Sequence, residues 1–412
     1  MRRSILALAW AAIAAGPGHA APVAWVEMTA SGPEARVVTD STACPVMTFG
    51  GHSRDMELRA GPDDAFANRV CAARLPSGPG PVTVAGIVLP RPKARPSRLV
   101  IFGDSGCRLT AVVTQHCNDP SGWPFAKVAA LAAARRPDLV IHVGDYYYRE
   151  KPCPVGVSGC AGSPYGDRWE TWKAELFDPA RPLLTVAPWV FTRGNHETCP
   201  RGGAGWFRLL DASPQPKPCA APADSFAVDI GGTRLFVVDS SDTEDAAAPP
   251  ALVAAFAGRL AGLGGRRRRE ATWIVTHRPF WYAARHGESL TDGTTNATER
   301  AAARKANLAG VGLVLSGHVH DFTSMNFGPA RPPQLIVGTG GDVLETGDLP
   351  PPVTGAPVVD GMSAKVFSMG RFGYFLFDRH GREWVGGFHD LSDSTIARCR
   401  LSARALRCVA VR

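Results

Sequence analysis

Leu139-Val140-Ile141-His142-Val143-Gly144-Asp145-Tyr146-Tyr147-Tyr148 is an apolar, β-branched run that stops at a glycine and then presents an acid and three phenols. Continuous runs of this kind are buried strands, and a glycine at the carboxyl end permits a tight turn with close backbone approach. Working outward from it, the same grammar recurs. Residues 99–102 lead to Gly103-Asp104, and residues 189–192 lead through Arg193 to Gly194-Asn195-His196-Glu197. Residues 272–276 end at His277, and residues 311–315 lead to Gly317-His318-Val319-His320. In α/β sheets the carboxyl ends of strands face a common crevice, so side chains scattered from 104 to 320 can converge there.

Helical patterns separate these runs. Residues 124–136 carry Phe125, Val128, Ala129 and Ala132 on one face, with Pro137 as the stop. Asp167 followed by Glu170 resembles a capping pair ahead of a stripe of Trp169, Trp172 and Leu176, which reads as core packing. Alternation of strand and helix patterns predicts a layered α/β core. Residues 21–88 read instead as short β-like pieces, and the proline-rich residues 89–96 as a stiff linker. The expected division is 1–20, 21–96 and 97–412. There is no internal repeat.

The chain has 412 residues, 45% of them hydrophobic and 20% charged, which excludes a disordered, collagen-like or coiled-coil protein. Arg2 and Arg3 precede an apolar stretch at 5–15 and the small residues Gly18-His19-Ala20, the pattern of a cleaved export signal. A periplasmic or secreted protein is expected. No later segment is long enough to span a bilayer. The ten cysteines agree with an oxidising compartment, and their clustering suggests the pairs 44–71, 107–117, 153–160, 199–219 and 399–408. A zinc site would need closely spaced pairs such as C-x-x-C, which are absent.

The net charge of +8 favours anionic partners only weakly, and the arginines at 266–269 read as a solvated cluster rather than a nucleic-acid site. Asn296-Ala297-Thr298 matches a glycosylation sequon. Taken singly, a Gly-Asp turn or one histidine carries little. Together, two aspartates, an asparagine and three histidines supply hard oxygen and imidazole donors for a pair of transition-metal ions. Arg149, Glu150, Arg193 and Arg278 flank these motifs and read as loop-ordering ion pairs, and Glu197 as a residue that orients a ligand.

The series Gly103-Asp104, Gly144-Asp145, Gly194-Asn195-His196-Glu197, His277 and Gly317-His318-Val319-His320 resembles the calcineurin-like metallophosphoesterase superfamily over about residues 99–345. Within it the closest likeness is to the purple acid phosphatases. Gly106 stands where many members carry a metal-binding histidine, and Tyr148 matches the tyrosine that purple acid phosphatases use instead. The resemblance implies a four-layer β-sandwich flanked by helices, with a small β-rich N-terminal appendage.

It also implies one metal on Asp104, Asp145, Tyr148 and His320 and a second on Asp145, Asn195, His277 and His318, with Asp145 bridging. Tyr146 and Tyr147 compete with Tyr148 for the phenolate position. The implied metals are Fe(III) with Fe(II), Zn or Mn. His196 would bind the phosphoryl group or protonate the leaving oxygen, and His286 resembles a phosphate-contacting histidine. The expected activity is hydrolysis of small phosphate monoesters by a metal-bound hydroxide. A phosphodiesterase or nucleotidase is the alternative within the same site, and a non-catalytic metal- or phosphate-binding protein the alternative outside it. Residues 149–166 and 198–223 are the candidate covers of the metals.

Overall fold

The computed structural model describes residues 21–214, 218–219, 222–264, 271–345 and 351–411. The expected export signal and the arginines at 266–269 lie outside them. Two sheets face each other. At the centre of the first, Arg98–Phe102, Leu139–His142 and Trp189–Phe191 run parallel. Four antiparallel strands extend one side of it, from Gly373–His380 out to Ala405–Ala410. At the centre of the second, Thr233–Val237, Ala271–Val275, Val311–Ser316 and Gln334–Val337 are likewise parallel.

Period-two alternation decides what each strand buries. Leu235, Val237, Trp273, Val275, Leu313 and Leu315 join the large core shared with the first sheet. Their neighbours Phe236, Ile274 and Val314 turn the other way, onto Val253, Phe256 and Leu260 of the helix Pro250–Leu260. On the far face of the first sheet lies the helix Phe125–Ala134, which buries Phe125, Val128, Ala129 and Ala132 as its periodicity requires. The order is helix, sheet, sheet, helix, the four-layer α/β sandwich expected from the sequence.

The N-terminal region is β-rich and attaches by continuing the first sheet. Val23–Thr29 pairs in parallel with Trp189–Phe191 through Glu27 and Trp189, and Gly32–Thr39 and Arg69–Arg74 follow antiparallel. A further four-stranded sheet packs over it on Val26, Val37, Met47 and Val84. All five disulfides link the cysteine pairs suggested by their spacing. Among the described residues no helix is long and apolar enough to cross a membrane. The sequon at Asn296 is closed, because that side chain is buried and donates to the Pro279 carbonyl. Asp167 caps a different helix from the one expected: it accepts from the amides of Ala204 and Gly205 in Gly203–Leu209, while Arg168 occupies the N-cap before Trp169.

Candidate metal centre

Five strand ends deliver the site. Asp104 and Asp145 follow neighbouring parallel strands and are tied together, the Asp104 amide donating to the Gly144 carbonyl and the Ser105 amide to the Asp145 carbonyl. The second sheet closes on the first where the His318 amide donates to the Asp104 carboxylate (3.1 Å) and His277 Nδ1 donates to the Val143 carbonyl (2.9 Å). Asp104, Asp145 and His318 all hold left-handed backbone, with φ of 55°, 59° and 70°. Each such residue costs about 1–3 kcal/mol unless the surroundings enforce it, and such outliers cluster at functional sites. Gly194 has no alternative here, since a Cβ would sit 1.9 Å from Asp145 Oδ1.

Of the three tyrosines, Tyr148 reaches the acids. Its hydroxyl lies 2.8 Å from Asp145 Oδ2, 3.2 Å from Asp104 Oδ1 and 3.1 Å from His320 Nε2. Tyr146 is instead spent on the backbone of Thr192, and Tyr147 stacks on Trp172. The ring of Tyr148 fills the space over residue 106, where a Cβ would lie 2.7 Å from Cδ2. A side chain at 106 and this tyrosine therefore exclude one another.

The other half of the cluster is built on Asp145 as well. His277 Nε2 lies 3.2 Å from Asp145 Oδ2 and 3.0 Å from Asn195 Oδ1. Donor atoms of Asp145, His277 and His318 all fall within 4.8 Å of one another. Backbone carbonyls and a carboxylate fix the imidazoles. His277 Nδ1 is held by Val143 and His320 Nδ1 by Val343, while His318 Nε2 is held by Asp245 at 3.0 Å. This leaves His277 Nε2, His320 Nε2 and His318 Nδ1 as the lone-pair nitrogens.

Carboxylate, amide and imidazole acceptors crowded in this way repel one another unless positive charge sits among them. His277 and His320 answer that demand, whereas burial pulls His318 below its ordinary value. Burial pulls His277 down, but Asp145 beside it and Asp104 beyond more than reverse this and push it up to about 9. Burial likewise opposes His320, and Asp342 and Asp104 push it up to about 10. Burial and the same acids drive the Tyr148 phenol well above its ordinary value. The donor set could hold one cation among Asp145, Asn195, His277 and His318 and, on the other side of Asp145, a second among Asp104, Asp145, Tyr148 and His320.

Several further residues support the cluster. Glu197 is buried and accepts the amides of Gly194, Asp145, Tyr146 and Tyr147, so it shapes two of the turns at once. Glu175 does the same for Cys107 and Tyr148 and meets Arg149 at 3.7 Å. Arg108 lies over the Tyr148 ring and pairs with buried Asp342. Arg193 pairs with Asp239, and Arg278 with the same Asp245 that holds His318. His196 packs tilted against Tyr148, with ring centroids 3.8 Å apart and the planes at 41°, its amide donating to Asp145 Oδ1 and its Nδ1 held by Glu150 at 2.9 Å. No motif marks Asp245, Glu175, Asp342 or Arg108, because isolated acids and arginines carry no spacing signal.

His286 is not brought to this cluster. The strand Ala283–His286 pairs with Ser289–Asp292 across a turn at Gly287 (φ 61°), which leaves His286 exposed at a hairpin tip.

Residues 97–322 match the calcineurin-like phosphoesterase family model. A search of curated proteins returns no match. Among solved structures, the chain is similar to the purple acid phosphatase PPD1 from yellow lupin (Lupinus luteus) seeds, at 14% identity and a TM-score of 0.58, over 95% of this chain and 74% of the lupin one. It is also similar to PhoD, at 12% identity and a TM-score of 0.52, over 95% and 92% of the two chains. At such identities these two likenesses speak for the fold. The family match spans more than half of the chain and coincides with the segment that supplies the clustered acids, amide and histidines: the protein belongs to the calcineurin-like phosphoesterases, a family of dimetal phosphoesterases.

Proposed function

We propose that the protein is an exported phosphomonoesterase of the purple acid phosphatase type, with Fe(III) held by Asp104, Asp145, Tyr148 and His320. Asp145, Asn195, His277 and His318 would hold the partner ion, Fe(II), Zn or Mn. The observation that carries the reading is the Tyr148 hydroxyl set among Asp104, Asp145 and His320 over a residue 106 with no side chain. A phenolate beside two carboxylates is a hard anionic set that suits a trivalent ion, whereas two imidazoles and an amide suit a divalent one. Such a pair, when bound, neutralises phosphoryl oxygens and acidifies water for attack on phosphorus.

The chain supplies the rest. Asp145 offers oxygens to both halves; its backbone amide donates to buried Glu197, and its Oδ1 accepts from the His196 amide, which holds the carboxylate against rotation. His196 has Nδ1 tied to Glu150, and its Nε2 lies 4.0 Å from Asp145 Oδ2, facing the centre. From there it can donate to a phosphoryl oxygen or protonate the departing alkoxide. Export is supported by the N-terminal sequence pattern and by five disulfides among the described residues. The substrate is a small phosphate ester.

The test is turnover of p-nitrophenyl phosphate against bis-p-nitrophenyl phosphate by the iron-loaded protein, together with its visible spectrum. The monoester is expected to be the better substrate, and Tyr148→Phe to abolish the charge-transfer band. A band that survives in Tyr148→Phe, or a preference for the diester, overturns the reading.

A further inference from the structure

Arg201 lies one imidazole away from the bridging carboxylate. Its Nη2 sits 2.6 Å from His196 Nδ1 and 2.8 Å from His196 Nε2, and that Nε2 is 4.0 Å from Asp145 Oδ2. Its Nε donates to Glu150 Oε1 (2.7 Å) and its Nη1 to the Asn195 carbonyl (3.1 Å). Glu150 is thus shared between Arg201 and His196. Glu150 thereby fixes the guanidinium beside the imidazole. A guanidinium has five N–H groups, so these contacts leave some of them free, and the side chain keeps 29% of its surface exposed.

The loop that carries Arg201 is fixed from every side. The Arg201 amide donates to Thr198 and the Gly202 amide to His196. Cys199 and Cys219 bridge its flanks. Asp167 caps the helix Gly203–Leu209 that follows. A Cβ on Gly202 would come 2.8 Å from the Tyr147 ring, so the turn is packed directly against the tyrosine triplet. A cation held this firmly at the lip of the centre is preorganised, and its ordering entropy is already spent.

We propose that Arg201 is a specificity-determining residue that binds the third non-bridging oxygen of a phosphate monoester, beside His196. This rests on the phosphomonoesterase reading above. A monoester dianion presents three such oxygens to the site, and a diester replaces one of them with a neutral ester oxygen. A charge-assisted donor placed for that oxygen rewards the monoester and gives the diester nothing. Glu150 acts through both bases as a positioning residue.

The experiment compares wild-type, Arg201→Ala and Arg201→Lys protein, each metal-loaded, on p-nitrophenyl phosphate and bis-p-nitrophenyl phosphate, with calorimetric titration of inorganic phosphate alongside. In Arg201→Ala, monoester kcat/KM is expected to fall about tenfold or more, mainly through KM, while the diester changes by less than about threefold. Phosphate binding is expected to weaken by a similar factor, and Arg201→Lys to recover part of both. Equal losses on the two esters, or unchanged phosphate affinity, overturn the proposal. Metal content and thermal unfolding of each variant identify a folding defect, in which case Arg201→Lys alone decides by its monoester-to-diester ratio. If the wild-type protein hydrolyses neither ester, the proposed function falls, and the phosphate titration still judges Arg201.

Discussion

Gly106 shows how a single absent side chain sets the character of the centre. A Cβ there would lie 2.5 Å from the Tyr146 carbonyl, 2.7 Å from the Tyr148 ring and 3.0 Å from Glu175 Oε1. None of these neighbours can yield freely: one is backbone, one is locked among two aspartates and a histidine, and one is a buried acid bonded to two amides. Overpacking of this kind costs about 1–3 kcal/mol. Gly106→Ala should therefore lower the urea midpoint by a corresponding amount and displace the Tyr148 ring, weakening its absorption band. Unchanged stability with an unchanged band would contradict this picture. The residues with motif chemistry were legible in the sequence because each follows an apolar run and a turn. The place of His286 was not legible in the same way, because the hairpin turn at Gly287 sets its exposure and no local pattern announces that turn.

At the scale of elements, the strand ends were readable and their supports were not. Buried parallel strands announce themselves as apolar runs, and the helix Phe125–Ala134 by its periodicity, whereas Asp167 looked like the cap of its own helix and serves another one 36 residues further along the chain. The linker before Arg98–Phe102 is held in a similar way by a distant acid. Asp138 accepts from the Ser97 amide (2.7 Å) and hydroxyl (2.8 Å) and the Arg98 amide (3.1 Å), and it pairs with Lys93. Burial raises this carboxyl, but Lys93 and the Ser97 contacts prevail and hold it below its ordinary value of 3.8. A carboxylate depressed by folding adds stability above its unfolded pKa and loses it as pH falls through the folded one. Asp138→Asn should cost about 1–3 kcal/mol near neutral pH. Wild-type and variant unfolding curves should then converge in acid, below the folded pKa. A gap in urea midpoints that stays constant across this range would contradict the assignment.

For the whole molecule, the sequence conveyed the layered core but not how the N-terminal region joins it. Pairing Glu27 with Trp189 brings together residues that no local pattern links, and edge-strand choice of that kind is settled by tertiary packing. The buried Arg36 shows the consequence. It pairs with Glu27 at 2.7 Å and donates to the carbonyls of Leu209 and Asp211, so the N-terminal strands also anchor the helix behind the Arg201 loop. The centre likewise belongs to no single unit, because Asp104, Asp145 and Asn195 come from the first sheet and His277, His318 and His320 from the second. Asp145 is where the halves meet, through Tyr148 on one side and His277 on the other.

Metal content per chain therefore tests the central claim most directly, measured by elemental analysis on the wild-type protein and on Asp145→Ala after equilibration with iron and zinc. The wild type should retain two ions per chain and the variant fewer than one, because removing the bridging carboxylate weakens both positions. A wild-type protein that holds no metal, or an Asp145→Ala variant that keeps its full complement while folded, would contradict the account.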